Sequence, residues 1–495
     1  MQEWQFTLQS ALLGIHKMPF KISNENESLT AAIETIQANT AIEKEEQFLQ
    51  IAALIHQYTI VGTELIKHTN NNITIAENET ANYCSTIAHQ LLIDAFSEKY
   101  DYHIELWLKQ CSSKKQIVHP QIITQLLQKA VSQKSIKKLV IECIGKRGLW
   151  LCNFNKEWQA FTIEVHQIDV WQTGSLAERK QLLQDTCKEN VQEAMNLLQS
   201  TWSQENASTK TSFLEIIDGF ISGLEDCSWL EGILTEKSIT VKSKVLSLLK
   251  KNPSSSIIKS YEAIVANAIS LRKEKILLGL SSKQIIHIQL SNPLPPEIIA
   301  TGIEPLSNSK TFTDDVFILF QLLQYTPPDF LEASLQLNAA SIISYFHKQE
   351  NLQQYLPAII HATIIFNNAN WANSIVQQTN TFHVELIKLL PIEEQEKYSI
   401  QFFKENEWSI IENALQWQQE WGVDFTYVFL KYVSEYPSFP TNYLHKSIAC
   451  IASKNSELVS KFSPNDTYAA DVWLRNKETI IRLLHLKQNI IQSFQ

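Results

Sequence analysis

The densest grouping of residues able to do chemistry is Lys146 and Arg147, set between Gly145 and Gly148 in "GKRGLWLCNFNKEW". Glycines on both sides permit positive φ and close approach, so backbone amides and a guanidinium could cradle an anion or a partner's carboxylate. The competing reading is structural. Arg147 would cap carbonyls at the C-terminal end of a helix while Gly148 makes the left-handed turn. At the level of sequence both stand.

Other candidates point to packing rather than chemistry. No HExxH, GxxxxGK[ST], GxSxG or EF-hand loop occurs in the 495 residues. The 13 histidines are dispersed, with no pair at i, i+3 or i, i+4 on an expected helix, so His287 and His361 read as core or surface residues. Cys143 and Cys152 lack a neighbouring ligand pair and read as small buried hydrophobes. Asp314 and Asp315 fall where a first helical turn would favour negative charge. Five of the twelve tryptophans, Trp150, Trp158, Trp171, Trp202 and Trp229, lie within 80 residues and read as large side chains between stacked helices. No catalytic, cofactor-binding or metal-binding residue is assigned, and the expectation is a protein that is not an enzyme.

Composition limits what positions these residues. Only 11 glycines and 14 prolines occur, about half the usual share, and turn-rich β folds need both. A net charge of -10 argues against general attraction to nucleic acid or anionic lipid. Seven scattered cysteines without a CxxC pair fit reduced thiols, no basic-then-apolar leader opens the chain, and no apolar run reaches bilayer length. A soluble cytoplasmic protein is expected.

Apolar residues at helical spacing predict helices from Trp4 to Ile15, Ser28 to Gln37 and Glu43 to Leu65, then a polar loop, "NNNITIAENET", and two or three helices up to Gly145. Ser175 with Glu178 forms a capping-box pattern, and Asn190 can cap a helix with Val191, Ala194, Met195, Leu198 and Trp202 on one face. Similar stripes follow through Phe213 and Ile217 and through Val241, Val245, Leu248 and Leu249, closed by Pro253. Short amphipathic helices in series bury their faces only by stacking, which predicts an all-α fold, an α-solenoid of helix pairs. "NANWANSIVQQ" and "ENEWSIIENAL" place Trp371 and Trp408 37 residues apart, within the range of helical repeats. Four regions are expected: 1–144, 145–280, a proline-rich linker or flap at 281–310 with a β-like run from Ile285 to Leu290, and 311–495.

The order "ALLGI", "GKRGLWLCNFNKEW", "WQTGSLAERKQLL" and "LLQSTW" resembles the bacterial family called domain of unknown function 5691. Gly145, Arg147, Gly148 and Trp150 match its glycine-arginine-glycine-tryptophan corner, followed by Asn155, Trp158, Trp171, Gly174, Glu178, Arg179 and Trp202. Asn190, Val191 and Met195 depart from the aspartate, proline and arginine usual there. The resemblance implies a HEAT-like helical repeat, with Gly145, Gly148, Trp150, Trp158, Trp171, Arg179 and Trp202 as structural anchors. It also implies association with a MoxR-type AAA ATPase, von Willebrand A proteins and a SWIM zinc-finger protein. The expected function is a non-catalytic scaffold or adaptor for other proteins. The alternative is a HEAT-like nucleic-acid-binding or nucleic-acid-processing protein, which needs Lys146, Arg147, Lys242 and Lys244 on one face.

Overall fold

The structure is a computed structural model that describes residues 2–15, 17–18, 27–61, 75–98, 100–159, 161, 167–276, 281–291, 293–308, 310 and 312–495. The chain divides into two compact units, Met1–Ile75 and Ala76–Gln495, and the division falls in the polar "NNNITIAENET" stretch. Among the described residues the fold is all-α, 71% helical with one small two-stranded sheet. Among the described residues no helix is long and apolar enough to cross a membrane.

In the smaller unit, the helix Lys44–Val61 packs on both Gln2–Leu13 and Glu27–Ala38, around Leu29, Ile33, Ile51 and Ile55. The third helix expected from sequence runs on to Leu65, and its last four residues lie outside the described ones.

The larger unit opens with four α-helices where two or three were expected: Thr86–Ser97, Tyr102–Ser113, Ile123–Ser132 and Lys137–Cys143. The extra break has a local cause. Lys115 takes a left-handed φ of 54°, and Pro120 then starts a 3-10 turn, where its missing N–H costs nothing. Trp107, Leu108, Leu126, Leu127 and Val140 from these helices fill a first core.

From Ser175 onward several helices carry side-chain caps, those of Ser175 and Asn190 as the sequence predicts. Ser175, Asn190, Asn206, Ser238 and Ser255 each accept a hydrogen bond from a backbone amide three residues on. Each such cap contributes about 1 kcal/mol. Leu176–Glu189 packs on Ala207–Asp218, which packs in turn on Ile239–Leu249. Their buried faces, including Leu183, Phe213, Ile217, Val241 and Val245, begin a second, larger core.

The β-like run is one arm of a hairpin. β1 (Ile269–Ile276) pairs antiparallel with β2 (Ser281–Ile288), with Leu271 opposite Ile286. β1 escapes sequence reading because "ISLRKEKI" carries four charges, and pairing rather than propensity makes it a strand. The proline-rich stretch then lies against the larger core through Leu294, Ile298 and Ile303. Beyond it, Asp314 and Asp315 occupy the first turn of the helix Asp314–Leu323, as expected. Trp371 and Trp408 are not equivalent: Trp371 is fully buried and donates to Glu332, whereas Trp408 is 36% exposed and stacks on Phe439.

The last helix, Thr467–Gln492, is about 39 Å long at 1.5 Å per residue. Trp473, Ile480, Leu483 and Leu484 belong to the larger core, while Ile490 and the following Phe494 belong to the first, where Phe494 packs edge-on against Trp107. One element thus ties the two cores of this unit together. Its buried stripe contains a cation, Lys487, only 2% exposed. The ammonium donates to the carbonyls of Ala449 (3.0 Å) and Ile451 (2.8 Å), at the C-terminal end of Thr441–Cys450, and pairs with Glu420 at 2.6 Å. A helix C-terminus is where a cation is best placed, because its unpaired carbonyls carry negative partial charge. One turn earlier on the same helix, the Leu483 carbonyl lies 3.0 Å from His103 Nε2.

Two outcomes are expected. Lys487→Met, similar in length but unable to donate, lowers stability in urea denaturation by about 3 kcal/mol, the loss typical when one member of a buried charged cluster is removed; an unchanged midpoint contradicts the anchoring role. Burial holds His103 below its ordinary range; the Leu483 hydrogen bond opposes this and the Lys487 charge adds to it. Above about pH 6.5, the unfolded value, His103 is neutral in both states. Below it the unfolded chain takes a proton that the folded chain resists, so stability falls. His103→Gln should therefore lose less melting temperature than the parent between pH 7 and about 5.

Candidate functional site

The corner at Gly145 differs from its expected geometry. The helix Lys137–Cys143 ends, Gly145 takes a φ of +62°, and a new helix, Gly145–Cys152, begins at once. The left-handed residue is therefore Gly145 and not Gly148, and Arg147 stands in the first turn of a helix rather than at a helix end. The reading of Arg147 as a carbonyl cap is corrected accordingly, since amides and not carbonyls are unpaired at a helix start. Gly148 lies within the helix, where a Cβ would run into the Ile144 side chain.

The amides at this helix start do cradle a carboxylate, and it comes from the same chain. Glu79 accepts from the backbone N–H of Lys146 at 2.9 Å and of Arg147 at 2.8 Å. A Cβ on Gly145 would lie 2.5 Å from the Glu79 carboxylate, so glycine is needed here both for φ and for room. Lys146 Nζ pairs with Glu77 at 2.8 Å, and that hydrogen bond, aided by the charge, holds the Glu77 carboxyl below its usual range. The Arg147 side chain is exposed and makes no hydrogen bond or ion pair among the described residues. Trp150 is half-buried, edge-on to Phe154, and Trp158 packs at the margin of the first core.

The remaining anchors, Trp171, Arg179 and Trp202, form part of a repeated clamp. The Arg179 guanidinium lies 4.7 Å over Trp171 and 5.0 Å over Phe213, and it donates to Glu205 at 2.5 Å and to Thr201 at 3.3 Å. Lys210 lies 4.8 Å over Trp202 and pairs with Glu236 at 2.6 Å, while Trp202 Nε1 donates to the same carboxylate at 2.9 Å. Trp171 and Trp202, Arg179 and Lys210, Glu205 and Glu236 are each 31 residues apart. The Lys210 hydrogen bond is the main reason that the Glu236 carboxyl is held below its usual range. Further along, Asp218 accepts from Lys244 at 2.9 Å and Lys251 at 2.7 Å. Burial acts to raise the Asp218 carboxyl, and the two lysines outweigh it.

Trp171, Arg179 and Trp202 stand out in the sequence through the family resemblance, but Glu205, Lys210 and Glu236 do not. A self-comparison at an offset of 31 would have aligned them. Cys143 and Cys152 are buried free thiols, consistent with their reading as small hydrophobes. Among the described residues no group of three or more His, Cys, Asp or Glu side chains could hold a metal ion.

Residues 7–494, nearly the entire chain, match the family of unknown function DUF5691. The protein is a DUF5691 member. The match extends well beyond the run from Gly145 to Pro253, where the resemblance is most specific. No curated protein and no solved structure matches the chain.

Substitutions in this DUF5691 protein separate frame from surface. Gly145→Ala should cost about 1–2 kcal/mol or more, from the left-handed backbone and the displaced Glu79. Arg147→Ala should stay within about 0.5 kcal/mol, as exposed substitutions do. Glu236→Ala, which strips an acceptor from both Trp202 and Lys210, should cost about 2 kcal/mol. Thermal or urea unfolding of the three variants checks the order; an Arg147→Ala loss equal to that of Gly145→Ala contradicts it.

Proposed function

We propose that this protein is a non-catalytic scaffold or adaptor, an α-solenoid of HEAT-like helix pairs centred on residues 145–280, that binds other proteins. The observation that supports the reading is the repeated Trp, cation and carboxylate clamp. It joins successive helices at a fixed 31-residue interval, as a stacked array requires, and each neighbour then supplies the contacts that a lone helix lacks. Such arrays present extended surfaces to partners. The family resemblance suggests a MoxR-type AAA ATPase with von Willebrand A or SWIM proteins, in the cytoplasm. Exposed Arg147 and its neighbour Lys146 are the candidate contacts on the corner.

The nucleic-acid reading is less well supported. It needs free cations on one face, yet Lys146 is paired with Glu77 and Lys244 with Asp218. Affinity purification of the tagged full-length protein from its own cells, at low salt, should recover an AAA ATPase or a von Willebrand A protein. Recovery of no protein alongside salt-sensitive DNA or RNA binding would replace the scaffold reading with the alternative.

A further inference from the structure

Both clamps in the central helices have the same three parts, a tryptophan, a cation over its ring and a carboxylate that holds the cation: Trp171, Arg179 and Glu205, then Trp202, Lys210 and Glu236. Towards the C-terminal end another tryptophan has the carboxylate without the cation. Trp408 and Glu412 stand four residues apart on the helix Glu407–Ala414, so they share a face. Among the described residues no cation lies over the Trp408 indole.

The setting of Trp408 is that of a platform. It stacks on buried Phe439, with centroids 5.6 Å apart and planes 6° from parallel, and still presents 36% of its surface to solvent. Tyr436 and Tyr443 stand nearly perpendicular to it, at 72° and 74°, with centroids 6.3 and 5.6 Å away. The Tyr443 hydroxyl donates to Glu412 Oε1 at 2.8 Å and so fixes the carboxylate beside these rings. The second oxygen, Glu412 Oε2, has no hydrogen-bond or ion-pair partner among the described residues. Glu407, at the start of the same helix, adds a further carboxylate. The cation seen against the cluster, Lys446, lies 5.7 Å over the Tyr443 ring, which shows that these π faces accept an ammonium and leaves the indole open.

Rings flanked by carboxylates attract cations and repel anions. Arginine suits the set best, because its planar guanidinium lies flat on an aromatic face while its N–H groups reach a carboxylate. Tryptophan and tyrosine are also the residues in which binding energy between proteins concentrates.

We propose that Trp408 and Glu412 dock an arginine-bearing segment of a partner protein. The guanidinium stacks on the indole, flanked by Tyr436 and Tyr443, and donates to Glu412 Oε2. The partner thereby completes the set that Arg179 completes within the chain. The proposal rests on the scaffold reading for the source of the segment.

The test is fluorescence anisotropy of the full-length protein with a fluorescein-labelled peptide of alternating arginine and serine. An ionic strength of about 0.15 M screens long-range attraction to the acidic chain. Saturable binding is expected, about tenfold weaker with Trp408→Leu, which keeps the charge, and with Glu412→Gln, which keeps the ring. Glu189→Gln removes the same charge from an exposed position on Leu176–Glu189 and should leave binding unchanged. A lysine-serine peptide of equal charge should bind about tenfold more weakly than the arginine one, a difference that Trp408→Leu erases. Circular dichroism verifies that the variants fold, and exposed Glu412→Gln carries the test should Trp408→Leu unfold. No binding by the parent, equal binding of the two peptides, or equal weakening by Glu189→Gln overturns the proposal. Recovery of a cellular partner by Trp408→Leu as fully as by the parent removes this surface and leaves the scaffold reading intact. Arginine-selective peptide binding without any recovered partner does the reverse.

Discussion

The larger unit depends on one buried cation. Lys487 occupies a position on the last helix that its neighbours Ile480, Leu483, Leu484 and Ile490 mark as core, so its ammonium must be satisfied inside the protein. The carbonyl ends of Thr441–Cys450 and the Glu420 carboxylate do this. Burying a charge is expensive unless donors and acceptors match, so such a set selects one arrangement of the elements that supply it. Here those elements are the last helix, a preceding helix and a loop. Because the same helix places Phe494 beside Trp107 in the first core, the geometry at Lys487 bears on both cores.

The same economy recurs elsewhere in the chain. Carboxylates are the commoner charge, and many are spent internally: Glu79 on a helix start, Glu205 and Glu236 on clamp cations, Asp218 on two lysines. Each lies partly sheltered from solvent or joins backbone groups, where a charged hydrogen bond is worth more than on an open surface. Within the helical array Arg179, Lys210, Lys244 and Lys251 are each held by a carboxylate in this way.

Much of the fold is legible along the chain because helices announce themselves locally. Ser175 with Glu178, Asn190, and the stripe of Val241, Val245, Leu248 and Leu249 carry cap and face within a dozen residues, and the structure places them so. The corner is legible in its residues but not in its geometry. Two glycines three positions apart do not say which is left-handed, and the partner that decides it, Glu79, lies 66 residues before Gly145. Trp371 and Trp408 show the converse: similar local sequence, but one is sealed by Glu332 and the other is left at the surface.

By itself, then, the sequence determined the helical class, the caps, the amphipathic faces and the family, since each is written in short-range periodicity or in an ordered set of motifs. Tertiary structure alone decided that β1 is a strand, that Gly145 turns the corner, that Arg179 and Lys210 hold equivalent clamps, and that a lysine sits in the last helix's core stripe. The physical reason is common to all four. A strand edge, a left-handed residue and a buried charge are each stable only when a specific partner is present, and those partners come from elsewhere in the chain.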